Sequence, residues 1–439
     1  MKVLSLAWKY HPSITSGVGV ACEGINNALS KMVDLKVIYP KVTKIQVSEE
    51  LILGSEDLTV EQRKLIEEEY IEFLENGNFE LAVSLDPYYT ISQNRINKTS
   101  QKKQIKETSV ISTDKREIRR IKKTEKLLFD EVDVFGENVK EKIYIYNRLV
   151  EMLAENLEFD VIHAHDWMTF LAGISLKDKY NKPLVIHVHS LEYDRVGHKD
   201  ASWVYQIERY SMSKANKVIA VSEYTKGLIE GNYGLSSNSI QTIYNATSIP
   251  EKIEDFSIKK GGNFKVLFAG RIDGNKGIEY FMEIAMHVLR RSKNVEFIVV
   301  GRGKSKIRFD KIKGYKEIAS NFKYLGFVER DVLFSLYQNC DVLCMPSISE
   351  PFGLTAIEAA YMGLPVVLST KTGASEILNR TPKADFWDTD QFANHIMSIK
   401  NNPRLRQRII ENNKEDISNL SWESSARKMV DLFDGLLRR

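Results

Sequence analysis

The sequence predicts an α/β protein built from two Rossmann-like, doubly wound parallel-sheet domains that face each other across a cleft. Short β-branched runs alternate with longer amphipathic stretches, which is how parallel strands covered by helices read. The pattern also stops once and restarts. At 439 residues and roughly 150 residues per domain, two or three domains are expected.

The first set of strands is read at Lys2–Ala7, Leu35–Tyr39, Val161–Ala164, Leu184–Val188 and Lys217–Val221. The second set is Lys265–Ala269, Glu296–Val300, Phe322–Leu325, Val342–Met345 and Pro365–Leu368. Pro250–Asn263 lies between them, polar and ending in Lys259-Lys260-Gly261-Gly262, and is the best linker in the chain. The domains are therefore placed at residues 1–249 and 262–415, followed by a C-terminal helix at 416–439 that crosses back to the first domain. Residues from Thr43 to Asp133 break the rhythm and read as an insertion, with a helix at Leu58–Asn76. Ser421 is positioned to cap the last helix.

Composition removes several classes. Hydrophobic residues make up 43% and charged residues 28%, as in a folded globular chain rather than a disordered or fibrous one. No apolar run approaches the roughly 18 residues of a membrane span. The apolar start, Met1 to Trp8, is too short for a signal peptide and reads as a strand. Three cysteines make no disulfide framework and fit a reducing cytoplasm. A formal charge of +3 gives no reason to expect a nucleic-acid partner. Arg95–Lys126 nevertheless holds 12 basic and 4 acidic residues, and is read as a solvated face or loop rather than a polyanion patch.

Three loops carry the chemistry. In Pro346-Ser347-Ile348-Ser349-Glu350-Pro351-Phe352-Gly353-Leu354-Thr355-Ala356-Ile357-Glu358, an apolar strand turns at Pro351 and Gly353 into a helix. The free N–H groups near Gly353, Leu354 and Thr355 then form an anion site reinforced by the helix dipole. Carboxylates would repel a phosphate, so Glu350 and Glu358 suit sugar hydroxyls on either side of one, or simply complement the dipole. The second loop, Gly270-Arg271-Ile272-Asp273-Gly274-Asn275-Lys276-Gly277, supplies an Arg/Lys pair able to balance a departing diphosphate. It is not a Walker loop. The third, Ser16-Gly17-Val18-Gly19, is a partial dinucleotide fingerprint whose third glycine position holds Cys22.

His163, His165 and Asp166 stand at one strand end, and His187 and His189 at the next. Alternation puts each histidine pair on a common face. With no thiolate nearby and Asp166 the only carboxylate, cleft-edge hydrogen bonding is expected rather than zinc. Asp388-Thr389-Asp390 mimics a metal-binding pair but precedes a helix and reads as a cap.

Glu350 to Glu358 around Phe352-Gly353-Leu354, with Gly270-Arg271 and Lys276-Gly277 upstream, resembles the retaining GT-B glycosyltransferases. The nearest likeness is glycosyltransferase family 4 and the glycogen/starch synthases. Matching pieces include Ser16-Gly17-Val18-Gly19, His163-Ala164-His165-Asp166-Trp167, His187-Val188-His189, Val221-Ser222-Glu223, Tyr244-Asn245-Ala246 and Gly363-Leu364-Pro365-Val366. The resemblance implies a nucleotide-sugar donor, ADP- or UDP-glucose, with no resident cofactor and no bound catalytic metal. Arg271 and Lys276 would grip the diphosphate, and the Gly353–Thr355 amides would cap its far side. Glu350 would orient sugar hydroxyls and Glu358 hold the ribose. His189 would sit by the transferred sugar, with Asp166 or His165 on the acceptor side. The acceptor is a carbohydrate, an α-glucan among the candidates. Ser16 and Thr372-Gly373 depart from glycines common in the family, and the Lys-containing Gly-Gly loop of bacterial glycogen synthases is absent. Epimerisation or trehalose-type synthesis is the rival reaction. A non-catalytic nucleotide-sugar-binding or scaffold protein is the rival class.

Overall fold

A computed structural model of the chain describes residues 1–8, 17–40, 52–59, 61–63, 65–66, 139–197, 202–250, 253, 262–272, 274–303, 309–312 and 314–438. Arg95–Lys126, most of the expected insertion, most of the linker, Ser16 and Asp273 lie outside them. The residues group into two compact units. One comprises Met1–Thr15, Val33–Ile186 and Gln206–Asn216; the other comprises Ser16–Met32, His187–Tyr205 and Lys217–Arg439.

There are two parallel sheets. The first contains β1 (Lys2–Leu6), β2 (Asp34–Ile38), β3 (Ile52–Leu53), β4 (Val161–His165), β5 (Leu184–Val188), β6 (Lys217–Ala220) and β7 (Ile240–Thr242), in the order β3-β2-β1-β4-β5-β6-β7. The second contains β8 (Phe264–Ala269), β9 (Val295–Val300), β10 (Phe322–Gly326), β11 (Val342–Met345), β12 (Val366–Ser369) and β13 (Lys383–Ala384), in the order β10-β9-β8-β11-β12-β13. The ten strands read from the sequence fall within one residue of those observed. β3, β7 and β13 were not anticipated. Each is two or three residues long, too short for alternation to show, and each is an edge strand recruited by its neighbour.

Side-chain alternation explains the second sheet's core. Val266, Phe268, Phe297, Val299, Val342 and Cys344 face one side and pack with Phe281, Ile284 and Phe392 from helices Ile278–Arg291 and Thr389–Asn401. Leu267, Ile298, Val300, Leu343 and Met345 face the other, against Phe334, Tyr337 and Ile357. Both faces are covered, as a parallel sheet requires. Cys22, Cys340 and Cys344 are buried thiols outside any disulfide, and burial pushes Cys340 up to about 12 and raises Cys344 as well. Those two are core residues.

The last helix runs Trp422–Leu437, with Ser421 Oγ accepting from the Ser424 amide at 3.0 Å. It packs on the helix Gly17–Leu29, a member of the same unit, and Lys31 Nζ meets Glu423 Oε1 at 3.1 Å. Asp388 caps Thr389–Asn401 by accepting from the Gln391 amide at 3.0 Å, as expected. Among the described residues no helix is long and apolar enough to cross a membrane.

Candidate active site

The second sheet's strand order reverses between β8 and β11, which pair directly through Val266↔Val342 and Leu267↔Leu343. Connections leaving such neighbours diverge to opposite sides, opening a crevice at the carboxyl ends of the strands. The Gly270–Gly277 loop leaves β8 there and the Pro346–Gly353 loop leaves β11. Topology alone thus brings the two strongest sequence segments to one place.

Two glycines set the local shape. Gly353 has φ +98 and ψ 54 and begins the helix Leu354–Tyr361, a conformation costly for any residue with a Cβ. The first intrahelical donor is Ala356, bonded to the Gly353 carbonyl at 3.0 Å, so the Leu354 and Thr355 amides precede the helical ladder and are suited to an anion. Gly277 has φ +71, and a Cβ there would lie 2.0 Å from the Pro346 carbonyl oxygen. Its absence lets the loop after β8 lie on the loop after β11, where the Ile348 amide donates to the Asn275 carbonyl at 2.9 Å.

The Glu350 segment is held like an extra strand. Its amide donates to Lys371 O, its carbonyl accepts from Gly373 N, both at 3.0 Å, and Phe352 O accepts from Ala374 N at 2.5 Å. Thr372-Gly373 therefore acts as a rail for this segment, and Thr372 Cγ2 would meet a Cβ on Gly353 at 3.0 Å. Phe352 is buried beneath the turn.

Within this frame Lys276 Nζ forms an ion pair with Glu350 Oε2. Glu350 is buried and Lys276 half-buried. Arg271 is exposed just beyond β8. Gly17, at the start of the first helix, lies against the turn as well: a Cβ there would sit 3.6 Å from Leu354 Cδ1.

Glu358 lives in a different environment. Its Oε1 meets Arg330 Nη2 at 2.8 Å and accepts from Thr247 Oγ1 at 3.4 Å, while Oε2 accepts from Tyr337 OH at 3.2 Å. Burial raises its pKa, against the opposing pull of Arg330 and the two hydroxyls. A carboxylate has about four acceptor positions, so these three partners leave room on Oε2 for one more hydroxyl donor.

His189 is buried in the same unit, and burial alone lowers its pKa to about 3. Its imidazole is neutral at physiological pH and suited to hydrogen bonding, not to donating a proton as an acid. Its ring stacks on His187 with centroids 4.3 Å apart. Cys22 Sγ lies 3.9 Å from His189 Nε2. This corrects the expectation that no thiol joins the histidines: Cys22 occupies the missing glycine position of the first loop, and the helix Gly17–Leu29 carries it to His189. In the other unit, His163 and His165 share a face with ring centroids 4.2 Å apart. Asp166 there is buried and has φ 58 and ψ 165, a strained geometry for a non-glycine residue. Thr169 Oγ1 fixes that turn by donating to the carbonyls of His165, at 2.9 Å, and Asp166, at 3.1 Å.

Arg330 and Tyr337 escaped the sequence reading, although a carboxylate on the apolar stretch Ala356-Ile357-Glu358-Ala359-Ala360 signals that a cation must come from elsewhere. Asn275, Asp194 and Ser349 were missed too. Asn275 and Ser349 lie inside the recognised loops, yet nothing local marked them.

Two doubly wound parallel sheets, the second with a crevice at its switch point, are the GT-B architecture. Residues 250–416 match the family described as glycosyl transferases group 1, and residues 124–249 match glycosyltransferase family 4. An uncharacterized glycosyltransferase of Methanocaldococcus jannaschii is 30% identical over 295 residues, covering 63% of this chain and 75% of that protein. Glycogen synthase of Mycobacterium tuberculosis is 23% identical over 283 residues, 62% of this chain and 68% of its own. Two solved structures share the fold over the full chain at a TM-score of 0.68. Sucrose-phosphate synthase from Thermosynechococcus elongatus is 17% identical and covered over 100% of its length. The catalytic domain of starch synthase IV from Arabidopsis thaliana, bound to ADP and acarbose, is 15% identical and covered over 99%. The chain belongs to the glycosyltransferases and has the GT-B fold. It is a transferase enzyme.

Proposed function

We propose that the enzyme is a retaining, metal-independent hexosyltransferase that moves glucose from ADP- or UDP-glucose to a carbohydrate hydroxyl, an α-glucan being the acceptor class that fits best. The Lys276–Glu350 pair beside the Gly353 turn carries this reading, because it puts a cation, a carboxylate and helix-terminal amides at one crevice. The ADP and acarbose bound to starch synthase IV support the donor and acceptor classes.

The diphosphate docks on the Leu354 and Thr355 amides, with Lys276 and Arg271 as counter-cations. Lys276 turns from Glu350 to the phosphate, and the freed Glu350 accepts from hydroxyls of the transferred sugar. Glu358, held by Arg330, takes the ribose on Oε2. In the transfer, the bond from C1 to the β-phosphate oxygen breaks and a bond from C1 to the acceptor oxygen forms. The acceptor's proton passes to the departing phosphate oxygen on the same face, which retains configuration. The developing phosphate charge is met by preorganised cations and amides, the contribution that most lowers such barriers. Neutral His189 hydrogen-bonds the sugar.

A thermal-shift screen of nucleotide-sugars, followed by product mass and anomeric analysis in EDTA, tests the reading. Stabilisation by ADP- or UDP-glucose and an α-linked product are expected. An inverted product, an epimerised donor, or loss of turnover in EDTA would each overturn it.

A further inference from the structure

Asp194 is a buried carboxylate that the transfer chemistry leaves unused. It lies five residues beyond His189, in the short helix Glu192–Val196, where Oδ2 accepts from the Leu191 amide at 2.9 Å. Its second oxygen, Oδ1, accepts from Ser349 Oγ at 2.5 Å. Its carbonyl oxygen accepts from the Asn275 side-chain amide. Ser349 immediately precedes Glu350, and Asn275 immediately precedes Lys276, so Asp194 bonds the neighbour of each partner in the ion pair. Tyr224 OH completes the network at 2.9 Å from Ser349 Oγ. Burying a carboxylate is expensive unless its oxygens are bonded, and burial raises the pKa of Asp194 against the pull of these hydrogen bonds. A short helix needs no such group merely to be capped. A serine or asparagine would do that in the open.

We infer that Asp194 and Ser349 are positioning residues: they lock the segment carrying His189 to the loops carrying Lys276 and Glu350, so that the imidazole and the ion pair meet the same sugar in register. This rests on the site proposed above. Neither residue is among the groups proposed to hold the donor diphosphate, so losing the contact misplaces groups without removing them. Misplacement of about 1 Å costs up to roughly 100-fold in turnover.

The test compares Asp194→Ala, Asp194→Asn, Ser349→Ala and the double alanine variant in the full-length enzyme. Readouts are kcat, KM for donor and calorimetric affinity for the free nucleoside diphosphate. Ser349→Ala is expected to lower kcat by about 10- to 100-fold with diphosphate affinity within about two-fold of wild type. The double variant should be no slower than the slower single one, because both remove one contact. Asp194→Asn should recover most of the rate, since its amide can donate to Ser349 Oγ while its oxygen keeps the Leu191 cap. Wild-type kcat in Ser349→Ala, or fully additive losses, would overturn the inference, and Ser349→Ala carries this test even where Asp194→Ala does not fold. Lys276→Ala and Glu350→Ala run alongside: if they are fully active the site itself is misassigned, whereas if only they fail the site stands and the positioning role falls.

Discussion

Glu350 and Glu358 are eight positions apart around a single turn, both buried, yet the protein treats them differently. Glu350 precedes Gly353 on an extended segment and faces one mobile-tailed cation, Lys276. Glu358 is inside the helix, gripped by the forked guanidinium of Arg330 and by two hydroxyls. A lysine is a point charge on a flexible stem and can be drawn to a phosphate, whereas an arginine fork is preorganised and stays. In the proposed mechanism this difference makes Glu350 the carboxylate that exchanges partners and Glu358 the one that keeps them. The helix N-terminus between them is where the proposed diphosphate docks.

Truncating the exchanging partner should do most damage. Glu350→Ala is expected to lower kcat by about 100- to 1,000-fold, in line with loss of a preorganised polar group, while thermal stability changes little. Full activity with every nucleotide-sugar would break the contrast. Gly353→Ala should come next, because a Cβ at φ +98 costs about 1–2 kcal/mol and tilts the turn amides. A lower Tm together with weaker diphosphate binding is the expected pair of readings in calorimetry and titration.

Glu358→Gln leaves Arg330 without its counter-charge and should reduce stability by about 1–3 kcal/mol by denaturant titration. It should raise donor KM more than it lowers kcat. A pure kcat effect would place Glu358 in the chemistry and erase the distinction from Glu350. Asp388→Ala sharpens the contrast from the other side, since that carboxylate only caps a helix. It should cost about 1 kcal/mol with turnover unchanged, and a metal-dependent loss of rate would return Asp388 and Asp390 to consideration as ligands.

His189 adds a pH signature. It folds neutral with its pKa lowered to about 3 from the ordinary 6.5. Between those values the unfolded chain binds a proton that the native chain does not, so stability falls as pH drops from 6.5 towards 3. His189→Gln should flatten that part of the Tm-against-pH curve. Asp194 and Glu358, with raised pKa values, act in the opposite direction.

Much of the fold was legible because parallel strands buried on both faces announce themselves as apolar runs, and a boundary error of one residue does not disturb topology. Glycine carried the site: Gly277 and Gly353 mark places where backbone must approach backbone or enter positive φ. What the sequence did not disclose depends on contacts between distant segments. Arg330 reaching Glu358, Cys22 reaching His189, and Asp194 reaching both Ser349 and Asn275 each join residues far apart in the chain, and no local pattern names the partner. β3, β7 and β13 stayed hidden because a two- or three-residue strand has no periodicity to read.

The central claim is that Lys276, released from Glu350, and the amides beyond Gly353 receive the donor's diphosphate. Isothermal titration of the wild-type enzyme and Lys276→Ala with ADP and UDP measures this directly. One site per chain for at least one of the two, weakened at least about 10-fold in the variant, is the predicted result. Equal affinity in both proteins would contradict it.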